Sequence, residues 1–421
     1  MAAQNDMSTL VGLFKEAYGS KVIPLTGNRA RLCKLLGFVE GKLAENGNLY
    51  HQPVVVTNEH GFTAAAANST PTLLAASSGQ MQDAQIAGSQ IIGRSNITYE
   101  ALARAAEGGL RAFTSATKQV VMNLSNTAAK RRELQLLHGQ MGIGTLSSIS
   151  GSLTTRVVVL SVDSWSPGIW AGETGATLDF FAAGPAGLKL NTNAPLVLTA
   201  VNPSTRAITV TGNASDLTTL DSTSAAVFFW ETHSATTEAA GLNKILSNTG
   251  TLFNIDAATY PLWAGNVYST STGDLTLAKI LDAVADPASY GADGKMLAII
   301  APKAFEQLNV DAAALRKFDV SYSSSNAKQG HTSLTFYSQN GEIEIMPHPL
   351  QKNGHCYIIT PEETKRIGAQ DISFIKRHGS NETLILESST TPASEMRVYN
   401  NEALLVEQPK HTAIMTGITY S

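Results

Sequence analysis

His348, His355 and Cys356 fall within nine positions of one another and carry donors that suit zinc. Structural zinc sites, however, draw paired cysteines or histidines at short fixed spacings, and this grouping matches none of them. The three residues fall around a hairpin and strand pattern, so they are read as structural. The stretch "YGADGKM" holds Gly294-Lys295, the last pair of a phosphate-binding loop, but position 289 is serine where that loop requires glycine. "MGIG" at 141–144 is too short for a dinucleotide fingerprint and reads as a turn after a helix. No Gly-x-Ser-x-Gly nucleophile elbow occurs. Glu342 and Glu344 share one strand face and read as a solvated face, not an acid–base pair. His51 and His60 flank a strand and read as ordinary exposed histidines. The sequence therefore predicts no enzyme: no catalytic residue, no cofactor-binding residue, no metal ligand and no cofactor.

Bulk composition narrows the class further. A chain of 421 residues suggests two or three compact units. Charged residues are 15%, against about a quarter in an average domain. Ala, Ser, Thr, Gly and Asn make up the difference, a composition that suits strand surfaces and close contacts between chains. A net charge of −4 argues against a general nucleic-acid-binding surface. The local cluster Lys130, Arg131, Arg132 reads as a solvated helix face. Two distant cysteines, Cys33 and Cys356, fit free thiols in a reducing cytoplasm. "MAAQNDMSTLVGLFKEAYGSK" has no signal-peptide pattern, and no apolar run approaches the ~20 residues a spanning helix needs.

The elements that must position these residues come in a definite order. Short amphipathic pieces, with Leu10, Leu13, Phe14 and Ala17 on one face and then Leu32, Leu35 and Leu36, form an N-terminal arm. "NLYHQPVVVTNEHGFTA" reads as a strand, and Pro53 places it at a sheet edge. Its expected mate is "AQIAGSQIIGRSNITYE", Ala84 to Glu100, with a tip of small and turn residues between them. A two-stranded ribbon is marginal alone, so it should lie on something else. A helix is predicted from Phe113 to His138, striped with Val120, Val121, Leu124, Ala128, Leu134 and Leu137 and stopped by Gly139. From 151 to about 233 the texture turns to short strands, clearest where Leu196, Leu198 and Ala200 alternate, "NPST" turns, and Ile208 and Val210 alternate back. That pattern predicts a small barrel or sandwich, with Trp165, Trp170 and Trp230 as its large core residues. "LTLAKILDAVAD" and "KAFEQLNVDAAALRKFD" read as helices around a buried strand "GKMLAIIAP". "LTFYSQNGEIEIMPHP" reads as a hairpin turning at Asn340-Gly341, followed by strands to the C-terminus.

That order resembles the major capsid (coat) protein of tailed double-stranded DNA bacteriophages, a fold shared with encapsulin shells and the floor of herpesvirus capsids. The resemblance rests on "GNLYHQPVVVTNEHGFT" as the start of an extended loop, "TKQVVMNLSNTAAKRRELQLLHG" as a spine helix and "GKMLAIIAPKAFEQL" as a strand and helix of an axial domain. It rests also on "GEIEIMPHPLQKNGHCYIITPEETKRIG" as that domain's late hairpin and "EMRVYNNEALLVEQPKHTAIMTGI" as the closing strand of a peripheral domain. It implies an α+β fold divided into an N-terminal arm (1–45), an extended β-hairpin loop (46–98) and a spine helix with peripheral domain (99–150). An inserted barrel-like β domain (151–235), an axial α/β domain (236–378) and peripheral return strands (379–421) complete it.

The function implied is a structural subunit that self-assembles, as pentamers and hexamers, into an icosahedral shell around a double-stranded DNA genome. Scaffolding, cement or decoration and portal proteins are the implied partners, with packaged DNA held non-specifically and no membrane. The implied location is the virion capsid, assembled in the host bacterial cytoplasm. Tyr50, His51, Pro53, Glu59, Arg94 and Tyr99 are the candidate inter-subunit contacts. An encapsulin-like compartment is the alternative, and a β-rich adhesin or tail protein a more distant one. Some family members weld subunits through a lysine on the extended loop, but here no lysine lies between Lys42 and Lys118. No isopeptide bond from the loop is expected, and denatured particles should give the mass of a single chain. Covalent ladders in the same spectrum would contradict this.

Overall fold

The computed structural model describes residues 30–40, 49–98, 110–182, 184–316, 334–338, 341–374, 386–387 and 393–420. Most of the predicted N-terminal arm, including the piece around Leu10, lies outside these, as does the Asn340 turn. The described part of the arm is one helical turn, Leu32–Leu35, with Leu32 buried, then strand β1 (Phe38–Glu40). β2 (Leu49–Val55) pairs antiparallel with β3 (Met81–Ala87), from Leu49 opposite Ala87 to Val55 opposite Met81.

The predicted mate strand is divided in two. At Gly88 the chain leaves the ribbon, and β4 (Ser89–Thr98) pairs instead with a C-terminal strand. A Cβ at position 88 would meet the end of the Asn401 side chain, so glycine lets the chain pass close to β20 where it leaves one sheet for the other. Residues 89–98 therefore belong to the body and not to the projecting loop.

The spine helix spans Leu110–His138, 29 residues and about 43 Å at 1.5 Å per residue. Its predicted stripe deepens along its length: Val120, Val121 and Leu124 are half-buried, whereas Ala128, Leu134 and Leu137 are buried. Gly139 N–H closes the last turn on Gln135 O at 2.8 Å.

Strands β5 (Gly144–Ser152), β6 (Thr155–Leu160), β7 (Thr177–Phe181), β8 (Leu196–Asn202), β9 (Ala207–Thr211) and β10 (Val227–Trp230) close a barrel in the order β10-β5-β6-β9-β8-β7. It opens at Gly144, upstream of the expected residue 151, because "GTLSSISGS" hides a strand behind small polar residues. Leu196, Leu198, Ile208 and Val210 face inward as predicted, but a register shift between Leu198 and Ala200 turns Ala200 outward and Val201 in. Trp165 stacks on Trp170 at 6.5 Å between ring centroids, and Trp230 tilts against Trp170 at 5.8 Å. All three are buried, as a small core built on large rings requires.

A short hairpin, β11 (Thr251–Leu252) and β12 (Ile255–Asp256), precedes β13 (Asn266–Gly273). Helices Leu277–Ser289 and Pro302–Arg316 bracket β14 (Met296–Ile300), buried at every position as its unbroken apolar run predicts. β15 (Leu334–Tyr337), β16 (Glu342–Pro347), β17 (Cys356–Ile359), β18 (Thr364–Phe374), β19 (Leu386–Glu387), β20 (Ala393–Val406) and β21 (Ala413–Ile418) follow. One mixed sheet has the order β13-β21-β17-β14-β16-β15; a second joins β1, β18, β20, β19 and β4. Two expectations change here. β16 and β17 are not a hairpin, since β14 lies between them. The return strands do not stay together, since β18 and β20 form the second sheet while β21 crosses into the first.

Candidate inter-subunit surface

The loop is fixed at its root and open at its tip. At the root, Ala84 and Ile86 are buried with Ile255, Trp263, Ile367 and Leu405, and Tyr50 and Val54 pack against the same cluster. Gln85 N–H donates to Phe253 O at 2.9 Å, and Gln82 Nε2 to the Tyr260 hydroxyl at 3.1 Å. Beyond Val55 the ribbon narrows. Val56 N–H donates to Gln80 O at 2.9 Å, and His60 and Ser77 exchange both backbone bonds at 2.9 and 3.1 Å. Gly61 holds φ at +116°, and a Cβ there would lie 3.1 Å from Ala75 O, so the two arms approach more closely than other residues allow. Leu74 N–H closes the tip on Thr63 Oγ1 at 2.9 Å.

The tip is more apolar than its composition suggests. Phe62 is 84% exposed, Leu73 79% and Leu74 63%; Val55 and Met81, paired at the outer end of the β2–β3 ladder, are exposed as well. Large side chains held out on a self-bonded loop, with no core of their own, mark an interaction surface.

Charged groups on the spine hold the root in place, and here the structure overturns the expectation of a solvated face. Lys130 and Arg132 are buried. Lys130 Nζ donates to Ile169 O at 2.8 Å and to Glu173 Oε1 at 2.5 Å. Arg131 Nη2 donates to Glu173 Oε2 at 2.6 Å, and its guanidinium lies 3.4 Å over the Trp230 ring. These contacts tie the barrel to the spine. Arg132 Nε donates to Glu402 of β20, and Glu402 also accepts from Arg366 of β18 at 2.6 and 3.0 Å. Burial lowers the Arg132 pKa, and the Glu402 carboxylate opposes that shift. Gln135 Nε2 donates to Ser89 Oγ at 2.8 Å, fixing the first residue of β4 directly after the loop.

Glu133 joins three elements. Its carboxylate accepts from Leu32 N–H, from Cys33 N–H at 2.9 Å and from His348 Nε2 at 2.8 Å. Leu350 N–H donates to His348 Nδ1 at 3.2 Å, so the imidazole is satisfied as its neutral form. Burial would raise the Glu133 pKa, but the bond from His348 and those from residue 33 bring it below the usual carboxylate range.

The predicted contact residues divide into groups. Tyr50, His51 and Pro53 share β2. Tyr50 packs inward with its hydroxyl 3.3 Å from Gln52 Oε1, and Pro53 is exposed in a strand paired on one side only. His51 Nδ1 lies 2.6 Å from Asp83 Oδ2 across the ribbon, and that bond lowers the Asp83 pKa. Glu59 is exposed beside the tip. Arg94 stands in β4 opposite Arg397, away from the loop. Tyr99 lies outside the described residues. Of the ligand-type grouping, His348 serves Glu133, His355 stacks on Tyr357 at 6.3 Å, and Cys356 is a buried thiol whose pKa burial pushes up. Glu344 pairs with Lys295 at 2.6 Å.

No protein-family model matches the sequence, and no curated protein does. Solved structures do. A cyanophage A-1(L) capsid asymmetric unit is similar at a TM-score of 0.57 and 10% identity, covering 99% of this chain and 100% of the other. The capsid of a native GTA particle is similar at 0.50 and 9% identity, over 99% and 100%. The chain has the tailed-phage capsid fold. A holo-SrpI encapsulin from Synechococcus elongatus PCC 7942 aligns at 0.41 and 9% identity over 100% of both chains, a likeness too distant to weigh. Within this capsid fold the helix of 110–138 is the long helix, and the barrel of 144–230 is carried between it and the mixed sheet.

The residues that sequence reasoning missed are the apolar tip and the buried charges. Phe62 and Leu73-Leu74 gave a signal, as the large apolar side chains in a stretch otherwise of small residues. Lys130–Glu133 gave none, because their partners Glu173, Glu402 and His348 are distant in sequence.

Proposed function

We propose that the chain is the major capsid subunit of a tailed double-stranded DNA phage, a structural protein whose copies close into an icosahedral shell. The loop of 49–87 carries this reading: a projection anchored through Ala84 and Ile86 presents an apolar tip that the described residues leave uncovered. Such a loop is stable in function when a neighbouring copy covers it, and many weak contacts repeated around a shell give large avidity. Tyr50, His51, Pro53 and Glu59 lie along it and are proposed contacts, whereas Arg94 would act from the β4–β20 sheet. The peripheral unit is the sheet containing β18 and β20, and the axial unit is the sheet centred on β14. Copies would form pentamers and hexamers in the host cytoplasm, with scaffolding, cement and portal proteins as partners and packaged DNA held without sequence recognition.

The test is electron microscopy with light scattering on the protein alone and with a candidate scaffolding protein, followed by nucleic-acid analysis of the particles. Polyhedral shells, or rings of five and six, are expected. A small monodisperse species in both conditions would refute the reading. Shells that carry protein cargo and exclude nucleic acid would move it to an encapsulin-like compartment.

A further inference from the structure

A small cavity of about 10 Å³ lies where the barrel meets the spine helix. Arg131, Gln135 and His138 of the helix line it, with Trp230 of β10 and His233 and Glu238 of the segment that leaves the barrel. Most of these polar groups are paired. Gln135 Oε1 accepts from Arg132 Nη1 at 2.7 Å, and Gln135 Nε2 donates to Ser89 Oγ. Both ring nitrogens of His138 are bonded, to the Tyr357 hydroxyl and to Leu350 O. Glu238 Oε2 accepts from Gln140 N–H at 2.9 Å, and Oε1 lies 2.8 Å from His233 Nδ1. Two buried nitrogens of the lining are not paired. Arg131 Nη1 and Trp230 Nε1 are closed off from solvent and have no partner among the described residues. Their side chains touch, with the guanidinium 3.4 Å over the Trp230 ring, and Trp230 is only 5% exposed.

Both orphan groups are N–H donors, so the cavity needs an acceptor. A buried donor without one is costly, and native folds rarely leave it so. The occupant must offer lone pairs to two nitrogens in the space of one water, which needs about 10–15 Å³. It must also suit the local charge. Arg131 and Lys352, whose Nζ donates to Gly142 O on the cavity wall, are the cations, and Glu173 and Glu238 are the anions. Burial lowers the pKa of both cations, and the nearby Glu238 charge opposes it in each. Two charges of each sign balance, which favours a neutral occupant over a halide or a metal cation. A water oxygen accepts twice, and its hydrogens then need acceptors of their own. Glu238 has them, since each carboxylate oxygen takes one bond here and has capacity for another.

We propose that this cavity is a binding site for one water molecule, which accepts from Arg131 Nη1 and Trp230 Nε1 and donates to Glu238. Through one oxygen it joins the spine, the last barrel strand and the segment leaving the barrel, and it completes the joint that Lys130, Arg131 and Glu173 begin. The site lies within one chain and does not depend on the shell-subunit reading.

Two measurements test it. The first is a density map, of the subunit or of its shells, at a resolution that shows ordered water. One peak is expected within about 2.7–3.2 Å of both nitrogens. No peak there, in a map that shows other buried waters, overturns the proposal, as does a protein acceptor on either nitrogen. A peak that gains anomalous signal when bromide replaces chloride would mark an anion and overturn it too. The second is nuclear magnetic resonance of protein labelled with 15N at the tryptophan indoles, in solution for the subunit or with magic-angle spinning for shells. The Trp230 N–H is expected to show cross-relaxation with a bound water. Trp263 is the control: it is also 5% exposed, but its Nε1 donates to Leu252 O at 3.0 Å, so no water signal is expected. Trp230→Phe assigns the resonance by removing it. A Trp230 indole without a water signal, or one no different from that of Trp263, overturns the proposal. If Trp230→Phe fails to fold, the density map of the wild type decides without any variant.

Discussion

Glu402→Gln lowers the stability of the unassembled subunit by about 3–5 kcal/mol, the cost of leaving a buried charge without its partner. Glu402 is fully buried between Arg132 and Arg366, whose side chains are 1% and 4% exposed. Glutamine keeps the shape and some of the hydrogen bonds but removes the anion. Two guanidiniums, charged under all conditions, would then face each other in a water-poor site. Arg132 keeps only the neutral Gln135, whose Oε1 accepts from Nη1 at 2.7 Å, and its Nη2 has no partner among the described residues. Arg366 keeps the Cys33 carbonyl at 2.9 Å, but its remaining carboxylate among the described residues is Asp371, which is 48% exposed and screened by solvent. Urea unfolding followed by circular dichroism, below the assembly concentration, measures the loss. Asp371→Asn is the control, expected to cost under about 1 kcal/mol. The double variant Arg132→Met/Glu402→Leu should recover much of the deficit, because an apolar replacement removes the need for charge compensation. A loss below about 1 kcal/mol for Glu402→Gln would show that water or a rearranged side chain neutralises the site.

What was legible in the sequence follows from how local each signal is. The spine was visible because 110–138 contains neither glycine nor proline and keeps one apolar stripe. β14 was visible because Met296–Ile300 is an unbroken apolar run between two helices. The β8–β9 hairpin showed its alternation up to the register shift at Leu198–Ala200, which no composition rule signals. β5 was obscured because its barrel-facing residues are few among serine, threonine and glycine. The sheet memberships were not legible at all: β4, β18, β20 and β21 read alike as strands, and only tertiary pairing decides which sheet each joins. The candidate surface divides the same way. Pro53 marked an edge strand correctly from its missing donor, whereas Arg94 was assigned to the loop because nothing in its neighbours announces the break at Gly88 between β3 and β4. The charged run at 130–133 looked solvated because charge usually is. Its burial depends on acids and a histidine that the fold brings from the barrel and both sheets.

Acidification from pH 7 to pH 5 should cost the subunit about 4 kcal/mol, about 2 for each of two histidines. His138 and His355 lie in the junction beneath the barrel, with Lys352, Tyr357 and Glu238 around them. His138 is satisfied as the neutral ring, with Nε2 donating to Leu350 O at 3.1 Å and Nδ1 accepting from the Tyr357 hydroxyl at 2.9 Å. Burial, then the nearby Lys352 charge, holds its pKa well below 6.5. The same causes push His355 down to about 3. Lys352 itself donates to Gly142 O at 2.8 Å. Burial lowers its pKa to about 8, so it is still largely the cation at neutrality. A proton on either ring would thus place a second buried cation beside the first. In the unfolded chain both histidines titrate near 6.5. Below that pH the unfolded state takes up protons that the folded state refuses, so stability is complete above 6.5 and falls at about 1.4 kcal/mol per pH unit for each ring until its folded pKa is reached. Glu133 adds nothing in this window, because its depressed carboxyl loses stability only below about 4.5. Lys352 acts at the other end: between about 8 and 10.5 the unfolded lysine holds more protons than the folded one, and stability rises with pH. Urea midpoints at pH 7, 6 and 5 measure the slope, and His355→Gln should reduce it by about half. A stability independent of pH between 7 and 5 would mean that the junction admits water and that both rings titrate freely in the fold.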